Sequence, residues 1–182
     1  METVAIVSDT HLYHDVPEAI PAWVDARIRG ADHVIHAGDF VTGTVLQHFE
    51  ENATALTAVR GNADVAGVDL PTATTITIEG VTFGVTHPMG IEDASMNPSA
   101  YESAVLSPIR ELTDDDFIAV AGHTHKIIDT VVDGTRLLNP GTATAALPAT
   151  EETMMVARVS AGEISIEVLG PDGPLDFDRS EY

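Results

Sequence analysis

Five times along this chain a short apolar, β-branched run stops abruptly at Asp, Asn or His. Residues 2–8 end at Asp9, residues 32–37 at Gly38-Asp39, and residues 53–59 at Arg60-Gly61-Asn62. Residues 81–86 end at His87, and residues 117–121 at Gly122-His123. Runs of this length and composition form buried strands. If the five strand ends share one edge, their polar loops gather on one face of the molecule.

The segments between these runs set the class. Residues 17–29 open at Pro17 and place Ile20, Trp23, Val24 and Ile28 on one helical face, ending near Gly30. A second helix over residues 42–51 buries Val45, Leu46 and Phe49, so the first fifty residues alternate β-α-β-α. Residues 72–79 then alternate with period two, turn at Gly80 and return over 81–86 as an antiparallel hairpin. Residues 88–98 form a loop, and residues 99–112 a helix despite Pro108. Asp133-Gly134 and Ala161-Gly162 mark two further hairpins, the first joining 127–132 to 136–138 and the second joining 154–159 to 164–169. This order predicts an α/β fold, an αββα sandwich of two mixed β-sheets flanked by helices. A single domain over residues 1–170 is expected, with an acidic tail over 171–182 that frays.

Composition narrows the chemistry. The chain has no cysteine, which excludes disulfides, thiolate zinc sites and cysteine nucleophiles. No segment approaches the roughly 18 uninterrupted apolar residues of a membrane helix, and the start of the chain has no basic leader, so a cytoplasmic protein without membrane contact is expected. Against 29 Asp and Glu stand 8 Lys and Arg, for a net charge of −21, with Lys126 the only lysine. Such a surface repels nucleic-acid polymers. The acidic, lysine-poor composition resembles that of halophilic archaeal proteins, in which molar salt shortens the Debye length to about 3 Å.

The donors at the strand ends are Asp9, His11, Asp39, Asn62, His87, His123 and His125. Taken singly, an Asp-x-His or Gly-Asp pair is more often a turn or a cap. Together they supply oxygen and imidazole nitrogen for two divalent ions, which catalytic pairs hold about 3.5 to 4 Å apart with a carboxylate as the natural bridge. Asp39 is the bridging candidate. Asp9-Thr10-His11 and His123-Thr124-His125 put alternate residues on one side of an extended segment. The donor set suits manganese first, with nickel, iron, zinc or cobalt as alternatives.

Asp9-Thr10-His11, Gly38-Asp39, Gly61-Asn62, His87 and Gly122-His123-Thr124-His125, in this order, resemble the calcineurin-like metallophosphoesterase superfamily over about residues 3 to 145. With Asn139-Pro140-Gly141-Thr142, the match is most similar to its small single-domain prokaryotic phosphodiesterases and to the retromer scaffold subunit of the same fold. The resemblance implies a phosphodiesterase acting on a small phosphate ester through a hydroxide bridging two metals, with a homo-oligomer as the expected assembly. It assigns one metal to Asp9, His11, Asp39 and His125 and the other to Asp39, Asn62, His87 and His123, and makes Asp39, Asn62 and His87 the expected catalytic residues. A non-catalytic scaffold on the same fold is the alternative.

Three positions depart from the family pattern. Ala63 stands where many members carry a histidine toward the phosphate or leaving group, Pro88 where glycine usually follows the histidine, and Thr142 where serine is commoner. Asp64, His87 or a metal-bound water is then expected to assist the leaving group. His14, His33 and His48 read as surface residues, and His36 as a packed strand residue. Arg60 is expected in an ion pair, Lys126 on either a structural or a phosphate contact, and Asp114, Asp115 and Asp116 on the solvated surface. Asn139-Pro140-Gly141 reads as a turn, which by resemblance lines the metal pocket.

Overall fold

The computed structural model describes residues 1–13, 19–65, 67–91 and 97–176. Elements follow in the order β1 (Glu2–Val7), α1 (Ala22–Gly30), β2 (His33–His36), α2 (Gly43–Asn52), β3 (Leu56–Ala58), β4 (Ala73–Ile78) and β5 (Val81–Thr86). There follow α3 (Pro98–Arg110), β6 (Ile118–Ala121), β7 (Ile127–Val132), β8 (Thr135–Pro140), β9 (Met154–Ser160), β10 (Glu163–Gly170) and β11 (Gly173–Pro174). One sheet runs β11-β10-β9-β1-β2-β3 and the other β4-β5-β6-β8-β7.

Period-two alternation explains the layers. In β1, Val4 and Ile6 face the second sheet, meeting Phe83, Val85, Val120 and Leu138 in the central core. Ala5 and Val7 face the other way, against Val24 and Ile28 of α1 and Val45 and Phe49 of α2. On the far side of the second sheet, Ala119, Ala121 and Leu137 pack under Tyr101, Val105 and Ile109 of α3. The result is the expected αββα sandwich. Each fully buried Val, Leu, Ile or Phe side chain contributes about 1.5–3 kcal/mol.

All three predicted hairpins form. Glu79-Gly80, Asp133-Gly134 and Ala161-Gly162 each have positive φ at both residues, as tight turns between twisted antiparallel strands require. Helix α3 contains Pro108 and is N-capped by Asn97, whose side chain accepts the Ala100 N–H at 3.2 Å. Helix α1 starts at Ala22; Pro17 and His14 lie outside the described residues. The expected fray from Pro171 does not begin there, because β11 pairs with the end of β10 and Leu175 packs on the central core. Among the described residues no helix is long and apolar enough to cross a membrane.

Topology fixes where the polar loops go. β1, β2 and β3 pair in parallel, as do β5 and β6. Parallel strands end on the same edge, so the loops after β1, β2 and β3 emerge together from one sheet and those after β5 and β6 together from the other.

Candidate metal centre

The loops are sewn together by backbone and side-chain bonds before any ion is considered. Asp9 N–H donates to Gly38 O at 3.0 Å and His11 N–H to Asp39 O at 3.1 Å, joining the loops after β1 and β2. Thr142 Oγ1 donates to Asp9 O at 2.8 Å and Thr144 Oγ1 to Thr10 O at 2.7 Å, bringing in the segment after β8. Asn139, fully buried, donates through Nδ2 to Gly122 O, Tyr101 Oη and Thr124 Oγ1, and its Oδ1 accepts the Gly141 N–H. It therefore braces the Gly122 loop from beneath.

Within this frame Asp9 and Asp39 are buried side by side. Asp9 accepts the His123 N–H and the Ser8 hydroxyl; Asp39 Oδ1 accepts the Ala63 N–H at 2.8 Å. Asp39 Oδ2 lies 3.2 Å from His11 Nε2 and 3.4 Å from His87 Nε2, so it stands between two histidines from different loops. Asp9 Oδ1 lies 3.2 Å from His125 Nε2 and 3.6 Å from His11 Nε2. Asn62 Oδ1 lies 3.2 Å from His87 Nε2 and 2.9 Å from His123 Nδ1.

Every histidine of the cluster has its second ring nitrogen tied down. His87 Nδ1–H donates to Ala37 O at 2.7 Å and His125 Nδ1–H to Ala146 O at 3.0 Å. His123 Nε2–H meets Ile91 O at 3.4 Å, and His11 Nδ1 lies 3.2 Å from Tyr13 Oη. In the neutral rings this arrangement turns the other nitrogen, as a lone pair, toward the carboxylates at His11, His87 and His125 and toward Asn62 Oδ1 at His123, which is how metal-binding histidines are oriented. Pro88 leaves the His87 anchor intact.

Backbone conformation is unusual here. Asp9 (φ 52), His11 (φ 44), Asp39 (φ 62), His123 (φ 79) and His125 (φ 57) are all left-handed non-glycine residues. Each such residue costs on the order of 1–3 kcal/mol, and such strain concentrates at functional sites. Two glycines permit the close approach. A Cβ on Gly122 would collide with Ser8 Oγ and lie 2.6 Å from Asp9 Oδ2, and one on Gly61 would collide with Asp39 Oδ1.

Electrostatics couple the carboxylates to the histidines. Burial alone would raise the carboxyl pKa values, yet His11 and His125 hold Asp9, and His11 and His87 hold Asp39, well below the usual carboxylate range. The histidines respond in kind. Burial pushes His11 down, but Asp39 and Asp9 outweigh it and raise it to about 10; His87 and His125 are raised for the same reason. His123 moves the other way, lowered by burial and by His87. Two buried anions thus demand compensating cations. Among the described residues His11 Nε2 is buried without a hydrogen bond although carboxylate oxygens lie near it, and Asp9-His11-His125 and Asp9-Asp39-His87 each bring their ligand atoms within 4.8 Å of one another. These residues fit divalent ions.

All seven sequence-predicted donors are therefore neighbours, with differences in detail. Asp9 belongs to both compact triads, and His123 joins through Asn62 and His87, whose ring lies 5.3 Å from its own. Asp64 is not free for a leaving group: buried, it accepts the Gly61, Val41 and Asp39 N–H groups. His87 has both nitrogens engaged as well. Asn139 holds the Gly122 loop through its side-chain hydrogen bonds. His33 and His48 are half-buried partners of Thr57 and Asp25, not free surface groups. Arg60 reaches Asp64 O, and no ion pair of it occurs among the described residues. Lys126 is exposed. Sequence reasoning missed Ser8 and Tyr101; neither carries a local signal, since Tyr101 reaches Gly122 from a helix of its own.

A cavity of about 610 Å³ sits at the opposite end of β6, lined by Arg110, Asp114, Asp115, Asp116 and Thr135, and its acidic wall offers an anionic ligand little.

Residues 2–162 match the sequence profile of the calcineurin-like phosphoesterase superfamily domain. A probable metallophosphoesterase of Methanothermobacter thermautotrophicus is 27% identical over 173 residues, covering 94% of each chain. A phosphodiesterase of Methanocaldococcus jannaschii is 26% identical over 152 residues, 76% of this chain and 82% of the other. In fold, the chain is similar to wild-type Vps29 of Entamoeba histolytica complexed with Zn²⁺, with a TM-score of 0.73 at 24% identity, covering 92% of each.

Proposed function

This chain belongs to the calcineurin-like phosphoesterase superfamily, and we propose that it hydrolyses a small phosphodiester with two divalent metal ions, manganese first among them. The observation that carries the reading is the position of Asp39 Oδ2 between His11 and His87, at 3.2 and 3.4 Å. One carboxylate oxygen there serves both halves of the donor set.

Asp9, His11, Asp39 and His125 would hold one ion and Asp39, Asn62, His87 and His123 the other. When bound, the ions supply Lewis acidity at phosphate oxygens and acidify a water for in-line attack. The chain's own residues supply geometry and charge. Asp9 and Asp39 are anchored by backbone N–H groups at His123 and Ala63, so they need no reorganisation on ion entry. Asn62, neutral and exposed, adds an oxygen without further buried charge. Ala63 offers no proton donor, and Asp64 and His87 are engaged, so no side chain among these three serves the departing oxygen. Esters with acidic leaving groups are the preferred substrates on this account.

The test is hydrolysis of a chromogenic aryl phosphodiester beside its monoester in molar KCl with Mn²⁺ or Ni²⁺. Diester-selective turnover that disappears in Asp39→Ala supports the reading. Absence of turnover on both esters, with unchanged metal content in Asp39→Ala, refutes it; metal uptake without turnover points to the non-catalytic scaffold.

A further inference from the structure

His36 is explained by neither the core nor the donor set. It is fully buried at the end of β2, stacked on Phe40 with ring centroids 3.6 Å apart and edge-on to Phe49 at 4.7 Å. Its Nδ1 accepts the Gly38 N–H at 3.2 Å, which places the ring proton on Nε2. That buried N–H has no hydrogen-bond partner among the described residues. Burial holds the imidazole neutral, pushing its pKa down to about 3, so the acceptor persists at every working pH.

A buried donor without a partner is unfavourable, and an apolar side chain of similar volume would fill the space between Phe40 and Phe49 without it. Packing alone therefore selects against histidine at this position. The bond to Gly38 is what an apolar residue cannot supply. Gly38 is the pivot of the site: its φ is +94, its carbonyl accepts the Asp9 N–H, and a Cβ on it would lie 2.7 Å from His87 Nδ1. Asp39 follows directly.

We infer that His36 is a positioning residue for the metal centre: by accepting the Gly38 N–H it sets the peptide that presents Asp39, anchors Asp9 and packs beneath His87. The inference rests on reading those three residues as ligands.

Two substitutions separate positioning from packing, because they act in opposite directions. His36→Leu keeps the volume and removes the acceptor; it relieves one unsatisfied donor and leaves another at Gly38, so its melting temperature stays within about 3 °C of wild type. His36→Asn places Oδ1 near the position of Nδ1 but loses the ring, and its melting temperature falls by about 5 °C or more. Affinity for Mn²⁺, measured by titration calorimetry on the full chain, follows the reverse order. It weakens about 10- to 100-fold in His36→Leu and stays within about threefold of wild type in His36→Asn. If stability and affinity rank the variants alike, or if His36→Leu binds Mn²⁺ as wild type does, His36 is a core residue only. Wild-type protein that binds no Mn²⁺ would refute the metal-centre reading instead. Hydrogen exchange at the Gly38 amide, followed by NMR on metal-free protein, then decides the matter: faster exchange in His36→Leu alone supports positioning, and equal rates in all three proteins overturn it.

Discussion

Asp64 accepts the Gly61 N–H at 2.7 Å, so the loop that presents Asn62 is closed on itself by a buried carboxylate. The other oxygen of the same group accepts the Val41 N–H at 2.7 Å, and that bond reaches into the loop that presents Asp39. One side chain clamps two donor loops. Replacing Asp64 with Asn turns one acceptor into a donor that faces backbone N–H groups, which costs about 2–3 kcal/mol and lowers the melting temperature by roughly 5–10 °C. Thermal denaturation of the metal-free variant measures this. A general acid would behave differently, leaving the melting temperature unchanged and removing the alkaline limb of the kcat–pH profile.

Close approach gives a second prediction. Gly122→Ala forces a methyl group against Ser8 Oγ and Asp9 Oδ2, and Asp9 belongs to both compact donor triads. Overpacking of this kind costs about 1–3 kcal/mol, and the displaced carboxylate lowers bound Mn²⁺ per chain in elemental analysis. Gly30→Ala is the control. Nothing lies within 4 Å of a Cβ there, so metal content stays at the wild-type value and the melting temperature does not fall.

The difference between these residues and the donors shows how far the sequence could be read. The alternation of Val4 and Ile6 with Ala5 and Val7, the Asp133-Gly134 and Ala161-Gly162 turns and the five polar strand ends are local patterns, and each corresponds to an element or loop of the fold. The parallel pairing that puts those ends together is non-local, yet it follows once the alternating β-α order is recognised. Asp64 is a different case. Its position two residues after Asn62 suggested a reactive group, but its role is set by Val41, more than twenty residues away in the chain. Tyr101 supports Gly122 from α3, and Gly173-Pro174 extends a sheet by pairing with β10; neither contact leaves a periodic trace. The left-handed backbone at Asp9, His11, Asp39, His123 and His125 is likewise a product of tertiary constraint, since none of these residue types demands it.

Protons and metal ions should compete for the centre. In the metal-free protein His11 is raised to about 10 and His87 and His125 are raised by the carboxylates, so these rings carry protons at neutral pH that ion binding must displace. Mn²⁺ affinity therefore rises with pH through the neutral range. Calorimetry in buffers of different ionisation enthalpy should show net proton release. Stability of the metal-free protein carries the opposite sign: because the folded pKa of His11 exceeds its unfolded value near 6.5, its contribution is complete below about pH 6.5 and is lost as pH rises toward 10. Asp9 and Asp39, depressed on folding, stabilise above about pH 4 and lose that contribution only under strong acid. A metal-free melting temperature that climbs between pH 7 and pH 10 would contradict this assignment.

The charge of −21 carries the last prediction, because few of the acidic groups are compensated. Among the described residues the arginine–carboxylate pairs are Arg29 with Asp25, Arg136 with Asp129 and Arg158 with Glu167, while Asp114, Asp115 and Asp116 stand exposed in a row. At low salt their mutual repulsion reaches about 10 Å, and at 1 M it is confined to about 3 Å. Raising KCl from 0.1 to 2 M should then add about 3 kcal/mol of stability and lift the melting temperature by roughly 6–12 °C. A neutral osmolyte separates screening from exclusion at the surface. If sucrose stabilises the protein as strongly as KCl does, self-repulsion is not what salt relieves; if KCl alone does so, and removing three charges with Asp114→Asn, Asp115→Asn and Asp116→Asn reduces the salt response, the acidic surface is the cause.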